Sequence, residues 1–491
     1  MKNWSSFALL LACSGSLIST SRAQNSDYLA TVRGYAEAMI ERGRDDYGAQ
    51  KSPLFASTLS LPEMRVPLAS PPAATGIRAH DRTVSGGNPM HDQNFYQSLY
   101  ALSQITGDPK YAREADAALS WFWKNCQSPQ TGLMAWGEHL GWDFHREARI
   151  TQPKNDDTHE FYRPWVLGAK SYELAPREVL KFAQGLWRHQ IYDAKTGAFS
   201  RHAKWSAHGP EKDYEFPRHA GFYIEVWALE YRRSQRAEIQ EAVETMLAYY
   251  ERARNEKTGA IPGESKTPEL VWPSSNLSLA ISLENAAPAM PTPITARMRA
   301  LAKSADEVFL KIPHELGEGG RGFVKSALAS TLEPGDPTAR GASKNGFFSR
   351  TWASGYGDQT DANFALQCLL RFEQTRDERF KNLALEAARR YLNSAPDPSQ
   401  ELFPEVFADA ISLLTRAHKL TGEAAFLTRA DELASQSVAL FWRDSPLPRA
   451  SSRLEHYETI TRADSLGLAL LELWTLQNKP ALKLETVWCD R

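Results

Sequence analysis

Thr106-Gly107-Asp108-Pro109-Lys110-Tyr111 opens an amphipathic run that continues to residue 123, and the same design returns twice. Thr375-Arg376-Asp377-Glu378-Arg379-Phe380 opens a run to residue 391, and Thr421-Gly422-Glu423-Ala424-Ala425-Phe426 opens one to residue 442. In each, the aromatic residue is followed four positions later by alanine: Ala115, Ala384 or Ala430. That spacing puts a large and a small side chain on one helix face. Asp108 and Glu423 fall in the first turn, where negative charge suits the helix dipole, and Pro109 suits the first helical position. Each run follows another helix-period run, over residues 92–106, 363–375 and 405–421. These pairs read as helical hairpins with short turns.

Working outward, helix-period patterns also cover residues 28–44, 158–173, 176–189, 219–232, 237–252, 275–282, 293–310 and 461–476. Strand patterns are scarce, so the chain holds about fourteen helices. Tight turns alternate with long connections over residues 50–90, 132–157, 193–217, 255–272 and 312–360. Loops this long inside a compact domain usually carry function. The expected fold is all-α, an (α/α) toroid of about six to seven helical hairpins, with an open helical solenoid as the alternative. No Gly-, Ser- or Pro-rich linker divides the chain.

The first residues resemble an export signal. Lys2 precedes an apolar stretch, and Ser21-Arg22-Ala23 offers small residues where a signal peptidase cuts. Residues 1–23 are therefore expected to be a signal peptide and residues 24–491 a single catalytic domain, periplasmic or secreted. A lipid anchor at Cys13 is the alternative. After the signal, Cys126, Cys368 and Cys489 remain, which is no disulfide framework and no zinc motif. The formal net charge of −2 argues against nucleic acid as a partner. It leaves room for a polyanion, because a cleft can be locally positive on a neutral protein. No second stretch is apolar enough to span a membrane, and a monomer is expected.

Three long loops end in chemistry-bearing residues. Gly86-Gly87-Asn88-Pro89-Met90-His91 ends one, Gly137-Glu138-His139 lies in the next, and Glu215-Phe216-Pro217-Arg218-His219 ends the third. In a ring, equivalent positions on successive hairpins converge. His91, Glu138 and His219 form a ligand set suited to a divalent transition metal rather than to calcium, which prefers oxygen. His139 competes with Glu138 for the inward position. Arg218 can face an anion, or can pair with Glu215 or Glu225. Trp136, His139, Arg163, Arg201, His202 and Trp205 are expected to contact sugar, and Tyr162 to supply a proton. His80, Asp81, Arg82, the acidic pair Asp156-Asp157 with His159 and Glu160 after it, Tyr356, Asp358 and Asp361 are secondary candidates, as caps, loop hydrogen bonds or substrate-positioning groups.

The order His, Glu, Arg-His on a helical toroid resembles polysaccharide lyase family 2, the metal-dependent pectate lyases. Residues 46–227 are more locally similar to exported bacterial proteins of pectate-lyase-like type. The shared pieces are Asp46-Tyr47-Gly48, Thr106-Gly107-Asp108-Pro109, Trp136-Gly137-Glu138-His139 and His159-Glu160-Phe161. The resemblance implies a manganese-type ion on His91, Glu138 and His219, with Arg218 as the base that starts β-elimination on an acidic polysaccharide or oligosaccharide. The separations between these residues are longer than in that family. Arginine is also nearly always protonated, so Arg218 as base requires strong desolvation. The rivals are a glycoside hydrolase of the unsaturated uronyl type, using Glu138 with Asp157 or Asp361, a sugar epimerase, and a binding scaffold.

Overall fold

The three repeated turns are built by one set of hydrogen bonds. Thr106 Oγ1 donates to the Leu102 carbonyl at 2.7 Å and accepts from the Asp108 amide at 3.2 Å. Thr375 does the same with Arg371 and Asp377 at 2.7 and 3.2 Å, and Thr421 with Ala417 and Glu423 at 2.9 and 3.1 Å. The next residue is left-handed in all three, with φ of 77° at Gly107, 61° at Arg376 and 74° at Gly422. One hydroxyl thus satisfies the last turn of one helix and orients the start of the next.

The computed structural model describes residues 27–150, 157–207, 215–335, 346–353, 355 and 357–491. The expected signal peptide, Asp156 and Tyr356 lie outside them. Among the described residues there are fourteen α-helices. They are α1 (Tyr28–Arg42), α2 (Pro89–Thr106), α3 (Lys110–Asn125), α4 (Gly168–Leu174), α5 (Pro176–Gly185), α6 (Pro217–Ser234) and α7 (Ala237–Ala253). The second half holds α8 (Pro273–Ala286), α9 (Thr292–Lys311), α10 (Asp361–Thr375), α11 (Glu378–Leu392), α12 (Pro404–Thr421), α13 (Ala424–Phe441) and α14 (Ala463–Asn478).

Packing closes them into a ring. α6 packs on α8, α8 on α10, α10 on α12, α12 on α14, and α14 on α2. The circuit is completed through α3 and the short α4, which packs on α6. Helices α3, α5, α7, α9, α11 and α13 each lie outside their predecessors, and α1 packs on α14 as the seventh outer helix. The fold is an all-α (α/α) toroid. Burial separates the layers: α8 buries 12 of its 14 residues, whereas α11 buries 6 of 15. An inner helix buried all round loses its amphipathic signature. For that reason periodicity reaches only residues 275–282 of α8.

One predicted helix is corrected. Residues 158–173 do not form one helix; only Gly168–Leu174 does. Thr158–His159 pairs instead with Ala203–Lys204, and Glu160 bridges to Gly137. Pro164 opposes helix at Arg163 by its ring clash. The expected long loops carry such short ladders, and they lead into the first turns of the inner helices. All the long loops therefore gather at one end of the ring. No helix among the described residues is long and apolar enough to cross a membrane.

Candidate functional site

Gly137 has φ of 120°, and a Cβ there would sit 2.2 Å from the Glu160 carbonyl oxygen. Only glycine allows this approach. Asn88, the N-cap of α2, holds the Gly137 carbonyl through Nδ2 at 2.8 Å. The Glu138-His139 pair is thereby set against Glu160, and the loop before α6 brings Arg201 and His202 to the same place.

Glu160 is the centre of what results. Its side chain is 1 % exposed, and Oε2 lies 3.0 Å from His202 Nε2 and 3.3 Å from His139 Nε2. Oε1 lies 3.1 Å from His219 Nε2 and 2.6 Å from Arg201 Nη1. His139 Nδ1 meets Asp81 Oδ1 at 3.1 Å, which fixes the ring. Glu138 faces His139 Nε2 at 3.6 Å and pairs with Arg78 at 2.7 Å.

Burial splits the two adjacent carboxyls. Burial alone would raise Glu160, but His139, His202, His219 and Arg201 hold it well below the usual carboxylate range. Glu138 is pushed up to about 8, by burial first and then by the charge of Glu160. Burial opposes the charged form of His139, yet Asp81 and Glu160 carry it up to about 9. Burial wins at His219, which falls to about 4 despite its bond to Glu160.

His139, Glu160 and His202 each offer one ligand atom, and the three atoms lie within 4.8 Å of one another. Bonds of about 2.0–2.2 Å to a first-row metal require donors roughly 3–3.5 Å apart, so small side-chain movements suffice. His139 Nε2 is buried and lacks an aligned hydrogen-bond partner, as a ligand nitrogen should. The donor set of two imidazoles and a carboxylate suits a borderline divalent cation.

The expected ligand set of His91, Glu138 and His219 is corrected accordingly. Among the described residues it is His139, Glu160 and His202 that come within joint range. His219 and Glu138 border the cluster, while His91 is not one of the three grouped residues. His91 is buried beside Tyr162 with both ring nitrogens unpartnered, and burial pushes it down to about 3. Glu160 is only a secondary candidate in the sequence, at the start of an expected helix over residues 158–173, and the structure makes it the centre of the cluster. The His159-Glu160-Phe161 piece was the available signal.

Beside the cluster lies a cavity of about 500 Å³. Arg218, Ser275, Asn363, Glu405 and Arg462 line it, from the starts of α6, α8, α10, α12 and α14. Glu138, Tyr162 and Arg163 line it too. Among the described residues Arg218 forms no ion pair with a carboxylate. Glu215 is engaged by Tyr249 and Ser265, and Glu225 by Arg491 and Asn285, so neither expected salt bridge forms. Burial lowers the Arg218 pKa, while Glu160 and Glu138 hold it up.

The remaining expectations divide. Arg201 and His202 belong to the cluster rather than to a sugar subsite. Trp136 is fully buried against Phe122, Trp123 and Trp165, so it is core. Arg163 is 2 % exposed; it pairs with Asp490 and donates to the Met90 carbonyl at 3.2 Å, so its first role is structural. Trp205 lies under Arg149 away from the cavity lining. Asp81 belongs to the site, Arg82 pairs with buried Glu458, and Asp157 binds Ser206. Asp361 is bound by Ser349, Thr351 and Arg390.

Solved structures similar over nearly the whole chain include a cellobiose 2-epimerase from Bacillus thermoamylovorans, at 10% identity, 91% coverage of this chain, 99% of that one and a TM-score of 0.46. An unsaturated glucuronyl hydrolase specific for heparin shows 13% identity, 94% and 100% coverage and a TM-score of 0.47. A GH76 alpha-mannanase from Bacteroides thetaiotaomicron shows 9% identity, 94% and 98% coverage and a TM-score of 0.48. Likeness of this degree bears on neither reaction nor substrate. Residues 75–259, which contribute Asp81, Glu138, His139, Glu160, His202, Arg218 and His219, match the family described as periplasmic pectate lyase.

Proposed function

We propose that the protein is an exported, metal-dependent lyase that cleaves a uronate-containing polymer by β-elimination. The observation that carries this reading is the juxtaposition of the Glu160 cluster with Arg218, which forms no ion pair with a carboxylate among the described residues. The family match over residues 75–259 supports the same reaction class, and its description supports a periplasmic location. The setting favours an anion: five inner-helix N-termini open on the cavity, and helix N-termini attract negative charge.

His139, Glu160 and His202 would hold the cation, with His219 and Arg201 orienting the carboxylate between them. A bound divalent cation supplies Lewis acidity, drawing charge from a uronate carboxylate and acidifying the proton beside it. Arg218 meets that carboxylate or takes the α proton. Its burial lowers its pKa in the direction a base requires. The electrons of the broken C–H bond form the new C=C bond, and the oxygen on the β carbon departs. That oxygen takes a proton from Tyr162, on the cavity wall, or from water.

A hydrolase reading keeps one observation in its favour: Glu138, pushed up to about 8, is held in the state of a general acid. Of the two partners expected for it, Asp157 is bound by Ser206 and Asp361 by Ser349, Thr351 and Arg390. Incubation with pectate, alginate, glucuronan and ulvan separates the readings. A lyase generates an unsaturated product that absorbs in the ultraviolet, and chelator abolishes it. No new absorbance on any of the four polymers, or turnover indifferent to chelator, would sink the proposal.

A further inference from the structure

Trp272 stands immediately before α8 and is the one tryptophan among the described residues that line the cavity beside Arg218. Trp123, Trp136 and Trp227 are fully buried in the core, whereas Trp272 keeps part of its surface open. The indole is backed by Gly263. A Cβ at that glycine would lie 2.6 Å from Trp272 Cδ2 and 2.9 Å from Cγ and Cε3. The ring therefore rests on bare backbone, in a loop closed by the Gly263 amide on the Leu270 carbonyl at 2.9 Å. Phe216 meets the indole edge-on, with centroids 5.0 Å apart at 75°. Arg218 lies on the same Phe216 ring at 5.9 Å, and its amide donates to Ser275 Oγ at 3.2 Å. Backbone and a second aromatic fix the indole, and Arg218, which forms no ion pair with a carboxylate among the described residues, lies over that same aromatic.

We propose that Trp272 is the platform on which a pyranose ring lies while the carboxylate of that sugar meets Arg218. The proposal rests on the uronate reading above and assigns its binding residue. A flat indole gives apolar area to the C–H face of a sugar at little entropic cost, and the neighbouring guanidinium reads the carboxylate. Gly263 is part of the design, because any side chain there would displace the indole.

The test compares wild type with Trp272→Ala, Trp272→Phe and Gly263→Ala, using a short oligogalacturonate and a neutral cello-oligosaccharide as probes. Circular dichroism and thermal melting confirm that each variant folds. Trp272→Ala should raise KM and weaken oligogalacturonate binding by about tenfold, with kcat changed less than about threefold. Gly263→Ala should weaken binding in the same direction, and Trp272→Phe should retain most of it. Oligogalacturonate should alter the tryptophan fluorescence of wild type more than that of Trp272→Phe. Binding by Trp272→Ala within about twofold of wild type would overturn the platform, even if the uronate polymer is still cleaved. If the neutral probe alone binds wild type and is lost in Trp272→Ala, the platform stands and the pairing with Arg218 is overturned. The lyase reading is judged separately, by whether wild type turns over any uronate polymer.

Discussion

Glu160 and Glu138 are both carboxyls of one cluster, yet their surroundings push them apart. Glu160 is held ionised by three imidazoles and Arg201, whereas Glu138 is pushed up to about 8. Like charges this close cannot both be accommodated in a buried site. Arg218 feels both carboxyls through space but donates to no carboxylate among the described residues. Arg218→Ala should therefore lower kcat/KM on a uronate polymer by about 100-fold or more, while changing stability by less than about 1 kcal/mol. Arg218→Lys should recover only part, since lysine lacks the planar fork. Enzyme assays paired with chemical denaturation check this. A stability loss of several kcal/mol with activity kept would make Arg218 structural. At this scale the sequence showed Arg218, His139, His202 and His219 by residue type at loop ends. It ranked Glu160 only as a secondary candidate, because the extended pairing of Thr158–His159 with Ala203–Lys204 and of Glu160 with Gly137 is made by partners more than twenty residues away.

Elements were legible where packing leaves one face in water. The outer helices read clearly, and the Thr-centred turns fixed the hairpins. Inner helices were read short, since α8 is buried all round. The contact of α2 with α14 also hides two carboxyls in the ring. Asp92 accepts from Ser57 Oγ at 3.0 Å, and Asp464 accepts from the Asn94 amide at 3.0 Å. Burial pushes Asp92 up to about 8, only partly offset by the hydroxyls of Thr459 and Ser57. An unfolded aspartate loses its proton near pH ~4. Between those values the folded protein binds more protons than the unfolded chain, so stability falls as pH rises. The contribution of Asp92 is complete below pH ~4 and gone once pH passes its folded value. Asp92→Asn, which stays neutral, should flatten that fall. Thermal melts across the window should show a decline smaller than that of wild type by about 2–4 °C. Equal slopes for the two proteins would show that Asp92 is ionised in the folded state.

Across the whole molecule, one architectural fact organises the site. Long loops gather at the end of the ring where the inner helices begin, so residues from the starts of five inner helices meet over one cavity. The alternation of tight turns and long loops made the toroid readable. The joining of its two ends, α1 on α14, is a long-range contact that no local pattern encodes. The same limit applies to the cation centre: loop positions said that imidazoles and carboxylates converge, but not which of them share an ion. Elemental analysis after loading with manganese or zinc and exhaustive dialysis decides that point. The account predicts about one ion per wild-type chain, loss of it in a folded His139→Ala, His202→Ala double variant, and retention in His91→Ala. Wild-type protein without a stoichiometric ion, or a double variant that keeps it, would contradict the account.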